Sequence, residues 1–268
     1  VKSRPVFLIP AAFVFFGLAD ASHASSRCAR LLAATVEIPE AYLGQFHPDL
    51  LRAFAGSEAL CGPTCLQNAN RLAKFVEGGN AGTAKTAIEE TVDRIETLRR
   101  IAPRSDPYDP KTAGLSFEMI LKGLAASGDG LEKLRFVAKS EDVLPVRDAR
   151  RLETFFKRNP NFERRSGRIQ SRDMRSPRVD FFILGFVELN ADRQPGEFIH
   201  AVLGAYDETT DTMRIHDPYF PGETSVWSFG AAAGGYGFKL ERRSGSSANG
   251  VEEVVVHDYV GFVLPDRR

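Results

Sequence analysis

Three side chains in this sequence have the types and settings for nucleophilic chemistry: Cys61, His200 and Asp217. Cys61 stands in the run Leu60-Cys61-Gly62-Pro63-Thr64-Cys65-Leu66, ahead of a stretch with helical periodicity. Pro63 suits a first helical turn, where its missing N–H is not needed and its fixed φ is already helical, so the spacing predicts Cys61 at a helix start. A helix N-terminus carries roughly +0.5 of an elementary charge and free N–H donors, which favour thiolate, the nucleophilic form, over thiol. His200 is the one strongly polar side chain in the apolar run Phe198 to Tyr206, and Asp217 opens an Asp-Pro turn after Met213 to His216. Neighbouring strands lie about 4.8 Å apart, so a hairpin would bring His200, near the start of one strand, close to Asp217 at the end of the other. His200 would then take the proton of Cys61 and return it to a leaving group, with Asp217 orienting the ring. On residue types alone, a core histidine and a turn aspartate explain the pair equally well. His216 has the opposite strand parity, and His47 and His257 lack an acidic partner in a matching frame.

The elements that must position these groups follow from composition and pattern. The chain has 268 residues, 43% of them hydrophobic, with 35 basic and 35 acidic side chains balancing to zero. That content supports one sizeable domain, and neutrality gives no global field toward nucleic acid or an anionic membrane. Lys2 and Arg4, the apolar run Val6 to Leu18 and the small residues Ala19 to Ala24 read as a signal peptide over 1–24. The apolar run is shorter than the ~20 residues a spanning helix needs. Cleavage after Ala21 or Ala24 would leave residues 25–268 as a soluble, exported chain, periplasmic or secreted, with no stable membrane span; an uncleaved tether or a buried helix is the alternative. Export gives weight to an odd count of three thiols, Cys28, Cys61 and Cys65. Cys65 shares a helical face with Ala69, Leu72, Ala73 and Val76 and so reads as packing. A Cys61–Cys65 redox pair or a Cys28–Cys65 bridge are the competing arrangements.

Apolar spacing then predicts a second amphipathic helix through Ala84, Ile88, Val92, Ile95 and Leu98, and a loop with three prolines between Ala102 and Pro110. A third helix is expected at Phe117 to Leu124 behind Ser116, a short strand at Leu134 to Ala138, and a fourth helix around Leu152 to Phe156 that Pro160 ends. The arginine-rich segment 157–178 reads as a solvated loop, or as a lid or contact for an acidic partner. With Phe162 as its single interleaved aromatic residue, it does not support stacking on nucleic acid. From Val179 the period changes to that of strands: Phe181 to Leu189, Phe198 to Tyr206, Met213 to His216, one near Tyr236 to Leu240, and Val254 to Leu264. Asp207 to Asp211 reads as a turn, Gly230 to Gly235 as a flexible turn, and Trp227 as core or cleft wall. The implied class is α+β, a helical layer on one face of a mostly antiparallel sheet.

Cys61-Gly62-Pro63-Thr64, then His200-Ala201-Val202-Leu203-Gly204-Ala205-Tyr206-Asp207, then His216-Asp217-Pro218, resemble in type and order the motifs of the peptidase C39-like branch of papain-like cysteine peptidases. The resemblance covers roughly residues 60–75 and 180–220. It implies a papain-like fold, with Cys61 as nucleophile, His200 as general base and acid, and Asp217 as orienter. The family's oxyanion-hole glutamine lies a few residues before the cysteine, where this chain has none; Gln45 could serve if Pro48 to Phe54 loops out. The activity so implied is cleavage of a peptide or related amide through a thiol acyl-enzyme, with a peptide or protein as substrate. The alternatives are an inactive papain-like binding or structural module and a thiol-dependent peptide transferase. No cofactor is implied: no His/Cys/Asp/Glu cluster has metal-ligand spacing, and no Gly-rich loop has the setting of a phosphate cradle.

Overall fold

The computed structural model describes residues 24–38, 41–54, 59–76, 82–102, 108–110, 119, 135–138, 142–145, 171–175, 179–189, 195–232, 238–247 and 250–264. All but Ala24 of the expected signal peptide, all but Met119 of the third helix, the fourth helix and most of the arginine-rich segment lie outside these residues. In chain order the helices are α1 (Ala24–Thr35), α2 (Pro48–Ala53), α3 (Cys61–Val76), α4 (Ala84–Ile101) and the single turn α5 (Ser171–Met174). The strands are β1 (Arg135–Ala138), β2 (Asp142–Pro145), β3 (Phe181–Leu189), β4 (Pro195–Asp207), β5 (Thr212–His216), β6 (Ser225–Ala232), β7 (Phe238–Ser244) and β8 (Glu253–Val263).

All strand pairings are antiparallel, and the order β8-β3-β4-β5-β6-β7 is completed by a further pairing of β7 with β8. The sheet therefore closes into a six-stranded antiparallel barrel. This overturns the expected papain-like class of a helical layer on a mostly antiparallel sheet: among the described residues the architecture is mostly strand, with few helices, and the sheet curls shut. Closure came from what was not foreseen. Ser225 to Ala232 form a full strand between β5 and β7, so the expected flexible turn at Gly230 begins as the end of β6.

Alternation along β3 shows how the sequence fills such a barrel. Phe182, Leu184 and Phe186 join Val202, Met213, Ile215, Trp227, Phe238, Leu240, Val254, Val256 and Tyr259 in one core cluster, the barrel interior. Phe181 and Ile183 point the other way, into a cluster shared with Leu203, Ala205, Val260, Phe262 and residues of α1 and α3. A strand buried on both faces has to be apolar throughout, which is why β3 reads as a continuous apolar run. β8 changes parity midway, because the register shifts between Gly185 and Phe186: Gly185 opposes Asp258 while Phe186 opposes Val256, one extra residue on β8. Such a bulge flips every side chain beyond it, and it keeps Tyr259 inside with Val254 and Val256. Trp227 is core, 1% exposed, with its indole N–H donated to Ser225 Oγ at 2.7 Å.

On the helical side α3 is central and packs on β4. Cys65, Leu66, Ala69, Leu72, Ala73 and Val76 face the barrel with Cys28, Ala29 and Leu32 of α1, as the 3.6-residue stripe predicts. The opposite face is also buried, and there the polar side chains are spent on named partners. Gln67 donates to Glu90 of α4 at 2.6 Å and accepts from Arg94 at 3.2 Å. α4 begins one residue after Thr83, whose hydroxyl accepts the Thr86 N–H at 3.2 Å, a standard N-cap. Its buried line runs through Ala87, Thr91, Arg94, Ile95 and Leu98, while Ile88 and Val92 are only partly covered. All three cysteines are free, so neither a Cys61–Cys65 pair nor a Cys28–Cys65 bridge is formed.

Candidate active site

Cys61 is the first residue of α3, with Pro63 two positions on and the Thr64 N–H bonded to Leu60 O at 3.0 Å. Leu60 is fully buried and anchors this turn. Across from it, the ladder between β4 and β5 stops at the pair Leu203 and His216. Two residues further toward the start of β4, Ala201 comes to the Cys61 sulfur, as does the Gly62 N–H. His200 stands near enough to the same sulfur for each to shift the other's titration. On its other side, His200 Nε2 lies 2.7 Å from Asp217 Oδ1, with His200 and Asp217 3% and 6% exposed. Nε2 being engaged by the carboxylate, Nδ1 is the nitrogen left to serve the thiol. The Asp217 oxygen also accepts the Tyr219 N–H at 2.9 Å, so the turn that carries the carboxylate fixes its direction. The Tyr219 ring stands edge-on to His200 with centroids 5.0 Å apart, and to Phe46 at 4.7 Å.

The electrostatics follow from these contacts. Burial is the largest influence on Cys61 and pushes its thiol up, but the His200 hydrogen bond, the His200 charge and the two backbone N–H donors together bring it below the ordinary value. For His200, burial pulls down, and the hydrogen bonds and charges of Asp217 and Cys61 outweigh it, leaving the imidazole pushed up to about 9. Both shifts favour a thiolate–imidazolium pair. Cys65 and Cys28 are pushed well above the ordinary thiol range, by burial first and then by nearby negative charge, so the packing role expected of Cys65 holds.

Gln45 reaches the same place by a route the sequence did not suggest. Pro48 to Ala53 do not loop out; they form α2, with Leu50 wholly buried and His47 capping its start through Nδ1, which accepts the Asp49 N–H at 3.3 Å. The extended stretch 41–45 instead lies along α3. Arg71 donates Nε to Ala41 O, and Asn68 accepts the Leu43 N–H and donates to Leu43 O, both at 2.8 Å. With position 41 beside 71 and 43 beside 68, Gln45 is carried to the level of the first turn of α3. There its N–H bonds Pro218 O at 3.0 Å, and the side chain is 1% exposed. The approach is close: a Cβ on Gly44 would stand 2.9 Å from Pro221 Cγ. Tyr42 packs on His216 with ring centroids 4.4 Å apart, and His216 Nε2 lies 3.3 Å from Pro221 O. Burial pulls the His216 imidazole down to about 4 against a modest upward push from Pro221 O, so His216 is neutral and structural.

The three residues expected to form a triad are thus brought near one another, and Gln45 is tied by its N–H to the turn that follows Asp217. His216 and His47 are occupied elsewhere. The clamp residues Asn68 and Arg71 were not foreseen, although the polar side chains Gln67, Asn68, Asn70 and Arg71 grouped beside an apolar stripe are the available signal. Among the described residues no group of His, Cys, Asp and Glu could hold a metal ion, and no helix is long and apolar enough to cross a membrane. A surface depression of about 310 Å³ between α1 and the β4–β5 hairpin, lined by Arg30, Glu37, Asp207 and Arg214 among others, does not include the thiol. No family model matches the chain, and no curated protein or solved structure matches it.

Proposed function

We propose that this protein is an exported cysteine hydrolase that cleaves a peptide or related amide bond through a thioester on Cys61, with the C39-like peptidases as the family its motifs resemble. The observation that carries the reading is the buried 2.7 Å contact of His200 with Asp217, set close to Cys61 at the start of α3, with the thiol lowered and the imidazole raised. In that reading the Cys61 thiolate attacks the carbonyl carbon, and the π-electron pair moves to oxygen. Collapse expels the amine, which takes the proton held on His200. Water then attacks the thioester, giving a proton to His200 as the thiolate leaves and the acid is released. Asp217 holds Nε2 so that Nδ1 stays aimed at sulfur. The Cys61 N–H and the Gln45 side chain are the proposed donors to the oxyanion, where loss of one donor costs about 10²-fold or more. Export is part of the proposal and rests on the pattern over 1–24.

Iodoacetamide and p-nitrophenyl acetate test it. At neutral pH Cys61 is expected to alkylate selectively, Cys28 and Cys65 staying unlabelled in the folded protein. The ester should give a burst of one p-nitrophenolate per chain that Cys61→Ala abolishes. Uniform labelling of all three thiols, or a burst that survives Cys61→Ala, would end the proposal.

A further inference from the structure

Among the described residues three large apolar side chains are exposed, Ile38, Phe46 and Ile101. Scattered singly, such residues need no explanation. Phe46 differs in what it leads to. It is 40% exposed, and its ring stands edge-on to Tyr219 with centroids 4.7 Å apart and planes at 89°. The partly exposed Tyr219 ring stands edge-on in turn to His200, at 5.0 Å and 85°. An aromatic surface therefore runs ring by ring from solvent to the imidazole that lies 2.7 Å from Asp217.

The two rings come from segments that are fixed to one another. Phe46 follows Gln45, whose N–H donates to Pro218 O at 3.0 Å, and Tyr219 follows Pro218. On the far side of Phe46 the His47 N–H returns to Gly44 O at 3.1 Å, and the His47 ring caps α2. Tyr219 gives its N–H to Asp217 Oδ1 at 2.9 Å, and the next N–H, that of Phe220, goes to Asp217 O at 2.8 Å. Backbone bonds on both sides thus hold the rings in place before anything binds, so a ligand laid on them orders little of the protein. Two rings at a right angle offer a third ring a face and an edge together, the arrangements aromatic pairs prefer. Which part of a substrate reaches them follows from His200. In the hydrolase reading the leaving amine takes its proton from His200, so the residue that carries that amine passes beside the imidazole and the Tyr219 ring next to it.

Resting on the hydrolase reading, we infer that Phe46 and Tyr219 are specificity-determining residues, which receive a large apolar side chain, best an aromatic one, on the leaving-group side of the scissile bond. A peptide with such a residue directly after the cleaved bond covers the exposed Phe46 ring, and that burial favours it over one with a small or charged residue there. The same surface serves the reverse step. An amine lying on it attacks the thioester carbonyl in place of water: the C–N bond forms as the C–S bond breaks, the proton of the amine passes to His200, and sulfur leaves as thiolate.

Competition between amines for the acyl-enzyme tests it. The protein is treated with p-nitrophenyl acetate in an equimolar mixture of phenylalaninamide, alaninamide and argininamide. The three N-acetyl amides are then quantified by mass spectrometry, with the amounts formed by Cys61→Ala subtracted. The wild type should form acetyl-phenylalaninamide about tenfold faster than acetyl-alaninamide, with argininamide no better than alaninamide. Phe46→Ala should bring the first two within about twofold of each other, whereas Phe46→Tyr, which keeps a ring, should retain the preference. A ratio of products from one acyl-enzyme is independent of how much of a variant folds and of how fast it acylates. Equal amounts of the amides, none at all, or an excess of acetyl-argininamide in the wild type overturns the inference, while a Cys61-dependent burst keeps the hydrolase reading standing. A preference that survives Phe46→Ala, or is lost equally in Phe46→Tyr, overturns it as well. If the wild type gives no Cys61-dependent burst, both fall together.

Discussion

Replacing Asp217 by asparagine separates charge from shape in the hydrogen-bonded line. Asp217→Asn keeps an oxygen able to accept from His200 Nε2, across the 2.7 Å that now separates the two groups, but removes the negative charge. His200 stands at about 9 against an ordinary 6.5, and at about 1.4 kcal/mol per pH unit that gap is worth about 3 kcal/mol. Asp217 and Cys61 supply it jointly against burial, so removing the carboxylate's charge takes away a part of it, and one pH unit of that part is about 1.4 kcal/mol. That is a little over tenfold in the population of imidazolium. His200 is protonated below about 9 and Cys61 ionises below its ordinary range, so thiolate and imidazolium coexist between those limits. Without the carboxylate the upper limit drops, and the thiolate, losing part of its counter-charge, forms at higher pH. Iodoacetamide alkylation of Cys61, quenched at intervals and read by mass spectrometry of its peptide, follows the thiolate directly. The midpoint of the rate profile should rise by about one pH unit in Asp217→Asn, with the rate at pH 6 falling about tenfold. A profile superimposable on the wild type would refute the coupling from Asp217 through His200 to sulfur.

Two further outcomes are expected. Asn68→Ala leaves the buried N–H and C=O of Leu43 without their partners, at about 1–3 kcal/mol each; urea unfolding should show a loss of about 2–4 kcal/mol, and a loss below about 1 kcal/mol would mean the stretch 41–45 is held by other contacts. His216, pulled down to about 4 by burial, binds its proton more readily in the unfolded chain, so it lowers stability as pH falls from 6.5 toward 4, by about 3 kcal/mol over the window. His216→Leu should flatten that part of the stability–pH curve, and an equally steep curve in the variant would count against the assignment.

Much of the candidate site was legible because its signals are local. Pro63 two residues after Cys61 marks a helix start in any context, and the apolar run Phe198 to Tyr206 marks a strand around His200. That Asp217 would return to His200 was inferred from a hairpin, and the meeting is real though the ladder is not its cause: β4 and β5 are paired only to Leu203 and His216, and the turn bonded at Tyr219 N and Pro218 O brings the carboxylate back. The barrel was not legible. β6 carries Ser225, Ser228, Gly230, Ala231 and Ala232, and β7 carries Lys239, Glu241, Arg242 and Arg243, so neither has the apolar run that marked β3. The bulge in β8 is set by pairing with β3, which no single segment of sequence records. Gln45 was seen but its route was misread, because the capping by His47 and the burial of Leu50 make a helix of a stretch expected to loop out.

The pairing of β8 has a consequence for how the chain is made. One edge of this strand runs along β3, while the other is divided, Glu253 to Val256 joined to β7 and Gly261 to Val263 joined to β1. Every other described strand leaves the ribosome before it. Until residue 263 has emerged, β3, β7 and β1 each keep an unsatisfied border, the kind of surface on which growing chains stick to one another. The nucleophile's helix shares a buried cluster with Val260 and Phe262 of β8, so its seat on the barrel also waits for this strand. The ring and the packing under the proposed nucleophile are therefore completed together, by one late strand.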